Sequence, residues 1–466
     1  MLKIAINMIV FFNIFILGYF LVLNFFYLFL FATAARQLFY YKTRKKIRIC
    51  KGSDCAINPS ISLILTAYNE EVVIENSVDS LLKLDYSNYE IVVVNDGSTD
   101  NMMDVLKKKF KLFKAPMATD NIIQTQPVIA TYKSATHHNL VVIEKENGRK
   151  ADALNAGLNY SKGKLYCSLD ADSILEKDAL LKMVQPYLER DAKIVGLGGI
   201  IRLLNGCKVV NSEVVEARLP ASSLARFQVI EYIRAFLCGR TGWSKLRNLF
   251  IISGAFGVLE RKTVVKIGGY RSSTIGEDLD LVIRLHKYMT DQKKNYRMVF
   301  IPDPVVWTQA PDTVKQLSRQ RNRWQRGLMD CMWYNRKMIF NPRYGAVGMI
   351  GMPYYLVFEM FSPLIEFFGY VAFLFSYIFG LVNYDFAVLF LLLAIVFGIV
   401  LSLLALLIEE FTVKRYETPK DMFILFIYAI LENFGYRQMH SFWRMMGFFD
   451  YLRGKKEWGE MKREAI

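Results

Sequence analysis

Two apolar patterns divide the chain. Near its ends, long apolar runs carry no charge. In the middle, apolar residues come in strand-length bursts between polar turns. Residues 4–35 hold no charged side chain, which exceeds the roughly 20 residues a bilayer-spanning helix needs. Ala32-Thr-Ala34 has the small residues of a signal-cleavage site, but signal cores run only about 7–15 residues. Five basic residues follow within positions 40–48, and by the positive-inside rule they put the next segment in the cytoplasm. Towards the C-terminus, residues 367–384 and 386–408 are uncharged runs of 18 and 23 residues, two further predicted spans joined by the tight Asn383-Tyr-Asp385 turn. Residues 345–358 are also apolar, so the first of these helices is either long or broken near Pro353 or Pro363. The shorter run 422–431 fits a span, a re-entrant segment or an interfacial helix.

In the middle, residues 61–70 (Ile-Ser-Leu-Ile-Leu-Thr-Ala-Tyr-Asn-Glu) read as a buried strand entering a polar turn. Helical spacing follows over 71–84, then a second strand over 89–96 that ends in acids and glycine. Strand, helix and strand with short turns predict a parallel α/β sheet. Residues 111–138 are polar and aperiodic, a predicted surface insertion. Further strands are expected at 140–143, 165–170 and 192–204, and a helix opens after Gly148. Ile251-Ile-Ser-Gly-Ala-Phe-Gly257 brings glycines where backbone approaches a ligand closely. Ile275-Gly-Glu-Asp278 opens a helix with acids in its first turn. Residues 316–334 predict a basic, aromatic, amphipathic helix lying on a membrane surface.

Composition narrows the classes. The chain has 466 residues, 53% of them hydrophobic, and a net charge of +16. Its six cysteines are scattered, neither a disulfide framework nor a zinc site, so reduced thiols are expected. The basic residues lie beside membrane segments rather than in a groove with base-stacking aromatics, which argues against nucleic acid and for lipid headgroups and an anionic substrate.

The chemistry centres on Asp170-Ala-Asp172. On a continuous strand, residues i and i+2 share a face. Two adjacent carboxylates repel, and a cation relieves them. Oxygen-only ligands suit Mg²⁺ or Mn²⁺, metals that also grip substrate phosphates. An Asp-rich turn after a strand is the plain alternative. Glu70 and Asp96 fall at carboxyl ends of parallel strands, where ligands bind in such sheets; the alternative is turn formation. Lys150 sits at a helix start and reads equally well as a solvated lysine. Glu277 and Asp278 also fit a purely electrostatic role at a helix N-terminus, and Arg323 and Trp324 fit interfacial anchors.

Taken in order, these stretches resemble glycosyltransferase family 2, and within it the membrane-embedded processive polysaccharide synthases. Thr66-Ala-Tyr-Asn-Glu70 and Val94-Asn-Asp-Gly-Ser98 are similar to the family's uridine-binding turns. Lys150 matches its diphosphate-contacting lysine, and Asp170-Ala-Asp172 its D-x-D. Gly276-Glu-Asp278 matches its T-E-D with glycine for threonine, and Gln320-Arg-Asn-Arg-Trp324 its Q-x-x-R-W. Within the family, synthases of β-linked N-acetylglucosamine polymers are the nearest match, with hyaluronan, cellulose and chitin synthases next.

The resemblance implies a Rossmann-like GT-A α/β domain over residues 58–315. An N-terminal transmembrane helix and basic linker (1–57) precede it. After it come an interfacial helix with Q-x-x-R-W (316–345), a C-terminal transmembrane region (346–450) and a cytoplasmic tail (451–466). It implies a plasma-membrane enzyme that uses a UDP-sugar and Mg²⁺ or Mn²⁺. Ala67, Tyr68, Glu70, Asp96, Lys150 and Asp170 would bind the nucleotide sugar, and Asp172 with Asp170 the metal. Asp278 would be the base that gives inversion, with Glu277 beside it. Gly254, Gln320, Arg323 and Trp324 would meet the polysaccharide acceptor. Glu359, Glu366, Glu432 and Asn433 fit either the wall of an export channel or an interfacial position. A small accessory membrane subunit is a further expectation. A transferase adding one sugar to a lipid or polyprenyl phosphate is the rival reading; such enzymes usually lack Q-x-x-R-W.

Overall fold

The computed structural model describes residues 2–44, 58–119, 121–188, 192–380, 384–416 and 418–455. Part of the basic flank, Cys50, Cys55, Asn383 and the tail beyond 455 lie outside them.

The apolar bursts form strands because both faces are covered. In β1 (Ile61–Ala67), Ile61, Leu63, Ile64 and Leu65 are buried, each worth about 1.5–3 kcal/mol relative to exposure. The other strands are β2 (Tyr89–Asp96), β3 (Leu112–Lys114), β4 (Val128–Ser134), β5 (Leu140–Lys145), β6 (Leu165–Asp170), β7 (Ser173–Leu175), β8 (Lys193–Leu203), the hairpin β9 (Lys208–Val210) and β10 (Glu213–Glu216), β11 (Phe256–Glu260) and β12 (Tyr296–Thr308). All but the hairpin form one ten-stranded sheet in the order β3-β4-β5-β2-β1-β6-β11-β8-β12-β7. The core β5-β2-β1-β6 is parallel, with Thr66 opposite Asp170 and Ala67 opposite Asn95. The carboxyl ends of β1, β2 and β6 therefore lie side by side. The helix Arg149–Tyr160 packs on β1 and β2. A Cβ at Gly157 would run into the Ile64 side chain, so Gly157→Ala would push this helix off the sheet.

Three expectations change. The segment predicted as an aperiodic insertion contains β3 and β4, which extend the sheet: β4 pairs antiparallel with β5, and β3 antiparallel with β4. Their alternating, half-exposed pattern at a sheet edge is weaker than that of the buried strands. The two aspartates do not share a strand face. Asp170 ends β6, and Ala171–Asp172 turn the chain towards β7, which pairs with β12. The Ser77 hydroxyl donates to the Ala171 carbonyl and holds that turn. The helix Val314–Tyr334 is not a free surface helix. Arg321 and Arg326 are buried, and the helix packs along Tyr436–Leu452, with Asn322 donating to Asp450 at 2.9 Å and Arg444 to Gln325 at 3.0 Å. It ends at Tyr334, where its spacing predicted, and short 3₁₀ turns follow at Arg336–Met338 and Pro342–Tyr344.

Among the described residues two helices are long and apolar enough to cross a membrane, Phe11–Thr43 and Tyr384–Thr412. A third span arises if Val347–Met360 and Ser362–Ile378 act as one, bent by 43°. The break falls at Phe361, two residues before Pro363, which carries no backbone N–H. The helix Pro419–Leu431 has 13 residues and lies across the helix Ser223–Tyr232, too short to span alone. The N-terminal helix packs against the segment Ile233–Lys245 and the apolar C-terminal helices, so the membrane part and the sheet share contacts. Cys167, Cys207, Cys238 and Cys331 are free thiols.

Candidate active site

The strand ends carry the site in two parts. On the β1–β2 side, the two polar turns are tied together. Asn69 donates its backbone N–H to Ser98 Oγ at 3.0 Å and accepts from Thr99 N–H at 2.8 Å. Glu71 N–H donates to Asp100 at 2.9 Å. Tyr68 is exposed beside them. Asp96 is buried. Its Oδ1 accepts from Lys145 Nζ at 2.7 Å and from Gly148 N–H at 3.0 Å. Lys145, fully buried, reaches Asp152 at 2.6 Å as well. A buried charge needs such partners. Asp96 thus fixes the turn that starts the helix carrying Lys150.

On the β6 side, a cavity of about 630 Å³ opens. Of the expected site residues, Lys150, Asp170, Asp172, Gly254, Glu277, Asp278, Gln320, Arg323 and Trp324 line it. Ala67, Tyr68, Glu70 and Asp96 do not; they stand at neighbouring strand ends outside its wall. Lys150 Nζ is 2.5 Å from Asp170 and 4.0 Å from Glu277. Burial lowers the lysine's hold on its proton, but Asp170 and Glu277 outweigh this and leave its pKa raised. Asp172 is buried beside the Thr308 hydroxyl, which donates to it at 3.4 Å.

Glu277 and Asp278 open the helix Glu277–Asp291. The Asp278 carboxylate accepts from Gly254 N–H at 3.1 Å and Leu279 N–H at 2.8 Å. Lys150 Nζ would lie 3.1 Å from a Cβ at Gly254, so glycine lets the lysine close over the acids. Burial pushes the Glu277 carboxyl up to about 7, opposed by Lys150 and assisted by Asp278. Among the described residues no three or more His, Cys, Asp or Glu side chains gather into a metal cage. A pair such as Asp170 and Asp172 fits a cation whose other ligands are substrate phosphates and water.

Across the cavity, Trp324 presents an exposed ring with the Arg321 guanidinium 4.2 Å from its centre. Arg321 donates to Glu231 at 2.8 Å, and so does the Tyr436 hydroxyl. Gln320 Oε1 is buried with no hydrogen-bond partner among the described residues. The cavity then runs on between the apolar helices, past Tyr370, Leu393, Ala394 and Gly398. Glu359 and Glu366 line this inner part. Arg444 reaches Glu359 at 3.5 Å, and Ser362 and Ser441 each donate to Glu366 at 2.5 Å. Glu432 and Asn433 stand behind the wall instead. Glu432 is fully buried and holds Arg234 at 2.5 Å and Arg437 at 3.3 Å, and these arginines form the wall. Sequence reasoning missed Lys145, Glu231, Arg234, Arg240 and Arg437. The only signal was charge breaking otherwise apolar runs.

The profile of Glycosyl transferase family group 2 matches residues 167–401, half of the chain, and that of Glycosyl transferase family 2 matches residues 62–206. The chain belongs to glycosyltransferase family 2. The two matched stretches together carry every cavity acid described above from Asp170 to Glu366. Among curated proteins, this glycosyltransferase is 26% identical over 295 residues to the poly-beta-1,6-N-acetyl-D-glucosamine synthase of Staphylococcus aureus strain COL, covering 62% of this chain and 60% of that one. The Staphylococcus epidermidis protein of the same name is 25% identical over 57% of this chain and 54% of its own length. The match therefore spans little more than half the length of these relatives. Among solved structures, a mannosyltransferase from Pyrobaculum calidifontis, in complex with GDP-Man and Mn²⁺, shares the fold with a TM-score of 0.53 and 16% identity, covering 95% of this chain and all of that one.

Proposed function

We propose that the protein transfers N-acetylglucosamine from UDP-N-acetylglucosamine to a growing polysaccharide, with inversion, and exports the product between its own membrane helices. One observation carries this reading: a single cavity holds the acids and Trp324 at one end and the apolar helices at the other. A single-sugar transferase has no need of that inner extension. The names of the staphylococcal relatives support the sugar.

In this reading the uridine lies over Tyr68 and Glu70, and Lys150 meets the diphosphate when substrate displaces Asp170. Asp170 and Asp172 hold a Mg²⁺ or Mn²⁺. The chemistry that such a cation supplies when bound is neutralisation of the leaving diphosphate. Asp278 takes the proton of the acceptor hydroxyl as that oxygen attacks the anomeric carbon from the face opposite UDP. The Gly254 and Leu279 N–H groups orient the carboxylate for that step. Trp324 supplies the apolar face on which the acceptor sugar stacks. The basic flank after residue 40 supports a cytoplasmic catalytic domain in a multi-pass membrane protein, with an accessory subunit as a further partner.

The test is incubation of the purified protein, in lipid nanodiscs, with a panel of radiolabelled UDP-sugars and Mg²⁺ or Mn²⁺, followed by sizing of the product. Long polymer from UDP-N-acetylglucosamine supports the reading. A product one sugar longer than an added lipid acceptor overturns it.

A further inference from the structure

Five cations of the cavity wall stand beside acids. Lys150, Arg234, Arg321, Arg437 and Arg444 each have a carboxylate within ion-pair distance. Arg240, also on the wall, has none among the described residues, and its Nη1 is buried without a hydrogen-bond partner. One face of its guanidinium is covered by Phe236, 3.6 Å from the ring centre. Burial pulls its pKa down to about 10, so it remains charged at neutral pH. An unpaired buried charge is costly, and a fold retains one where a ligand completes it.

Position decides which ligand. Arg240 ends the π-type segment Ile233–Arg240, and such turns recur at functional sites. The same segment carries Arg234, which is tied to Glu432 among the membrane helices. That segment packs against the N-terminal helix Leu2–Arg44 and the helix Phe397–Thr412, and Tyr355 of the bent pair lines the same cavity. Arg240 therefore stands at the junction of the catalytic and membrane parts of the cavity, where a growing chain would pass in the proposed function. Lys150 and the aspartates occupy the phosphate side.

We propose that Arg240 binds the terminal sugar of the acceptor. Its planar fork, backed by Phe236, donates to two adjacent oxygens of that sugar, such as the carbonyl of a 2-acetamido group and the neighbouring hydroxyl, and presents the attacking hydroxyl to Asp278. A guanidinium matches paired oxygens in a way that an ammonium does not. This rests on the proposed polysaccharide transfer and adds a residue that selects its acceptor.

The test compares the parent with Arg240→Gln, Arg240→Lys and Arg240→Met, all in nanodiscs. Arg240→Met keeps an apolar stem on Phe236. Two quantities are read: the concentration of a short N-acetylglucosamine oligomer that half-saturates transfer, and UDP affinity by calorimetry. Losing hydrogen bonds from a charged donor should raise the first ~10–100-fold in the Gln and Met variants, with partial recovery in the Lys variant. UDP affinity should stay within about 2-fold, which also reports that the variants are folded. A large loss of UDP affinity with oligomer dependence unchanged would move Arg240 to the donor side and overturn the proposal. So would variants in which neither quantity moves. If the parent itself uses no oligomer and no UDP-sugar, it is the underlying function that fails.

Discussion

The turns at the strand ends and the membrane side of the cavity are built by opposite means. At the strand ends, polar groups within about 30 residues of each other in sequence tie neighbouring turns together, as Asn69, Ser98, Thr99, Glu71 and Asp100 do. At the membrane end, charges from distant parts of the chain meet. Arg234 pairs with Glu432 and Arg321 with Glu231, and Tyr436 reaches back 205 residues to the same Glu231. The first end is a consequence of parallel strands, which put consecutive loops side by side. The second exists only once the C-terminal helices have docked. The contrast predicts that donor chemistry and acceptor handling separate under mutation.

The largest break comes at the strand ends. Asp172→Asn keeps the turn and its contact with Thr308 but removes a charge. Transfer should be abolished, and chelation should do the same to the parent. A near-parent rate for this variant in saturating Mg²⁺ or Mn²⁺ removes the metal from the mechanism. Next comes Asp278→Asn, which keeps the shape and one of the two N–H contacts yet cannot take a proton. The rate should fall ~10²–10⁴-fold while calorimetry still shows UDP binding. If polymer appears at near-parent rate, Glu277 becomes the candidate base.

Glu277 offers a subtler break, read in stability. Burial raises its folded-state pKa from the usual 4.5 to about 7. A carboxyl whose folded pKa lies above its unfolded value contributes stability that is full below about pH 4.5 and is lost as pH rises through about 7. The difference is roughly 3 kcal/mol. Glu277→Gln removes it. In ligand-free protein, denaturation profiles at pH 5 and pH 8 should show the variant gaining on the parent only at the higher pH. An equal loss at both values means that the Lys150 pairing, not burial, governs this group, since the charged carboxylate is then the stabilised form.

What could be read from the sequence follows the same division. The D-x-D, the Glu-Asp pair and Q-x-x-R-W announce themselves because each is compact in sequence and sits at the end of a strong apolar pattern. Their shared cavity was legible through motif order alone. The face of Asp172 was not, because a turn after β6 breaks the period-2 rule that the spacing suggested. The pairing of Asp96 was hidden for a related reason. Its partner Lys145 lies 49 positions away, and no local pattern distinguishes a buried lysine at a strand end from a solvated one. For Glu432 the sequence left a channel wall and an interfacial position open; it lies behind the cavity wall, since only docking against Arg234 and Arg437 decides which side of a helix faces the cavity. The edge strands β3 and β4 escaped because half-exposed residues carry little periodic signal.

The smallest break sharpens the comparison most. Trp324 rests on Arg321, Arg321 is held by Glu231, and Glu231 is held from the membrane side by the Tyr436 hydroxyl. Tyr436→Phe removes that single donor. The ring remains, stacked on Phe227 with centroids 4.8 Å apart, so packing survives. A neutral donor of this kind contributes about 1 kcal/mol, so the preferred position of the platform should weaken by only ~5-fold. Product length should shorten by a similar factor, measured by sizing polymer made at fixed UDP-sugar concentration. UDP affinity should not move, because no contact of Tyr436 reaches the strand ends. Glu231→Gln is the harsher companion: it leaves the Arg321 charge buried without its carboxylate and risks the fold itself. If Tyr436→Phe weakens UDP binding as much as it shortens the product, the two ends of the cavity form one cooperative unit, and the division drawn between strand ends and docked helices fails.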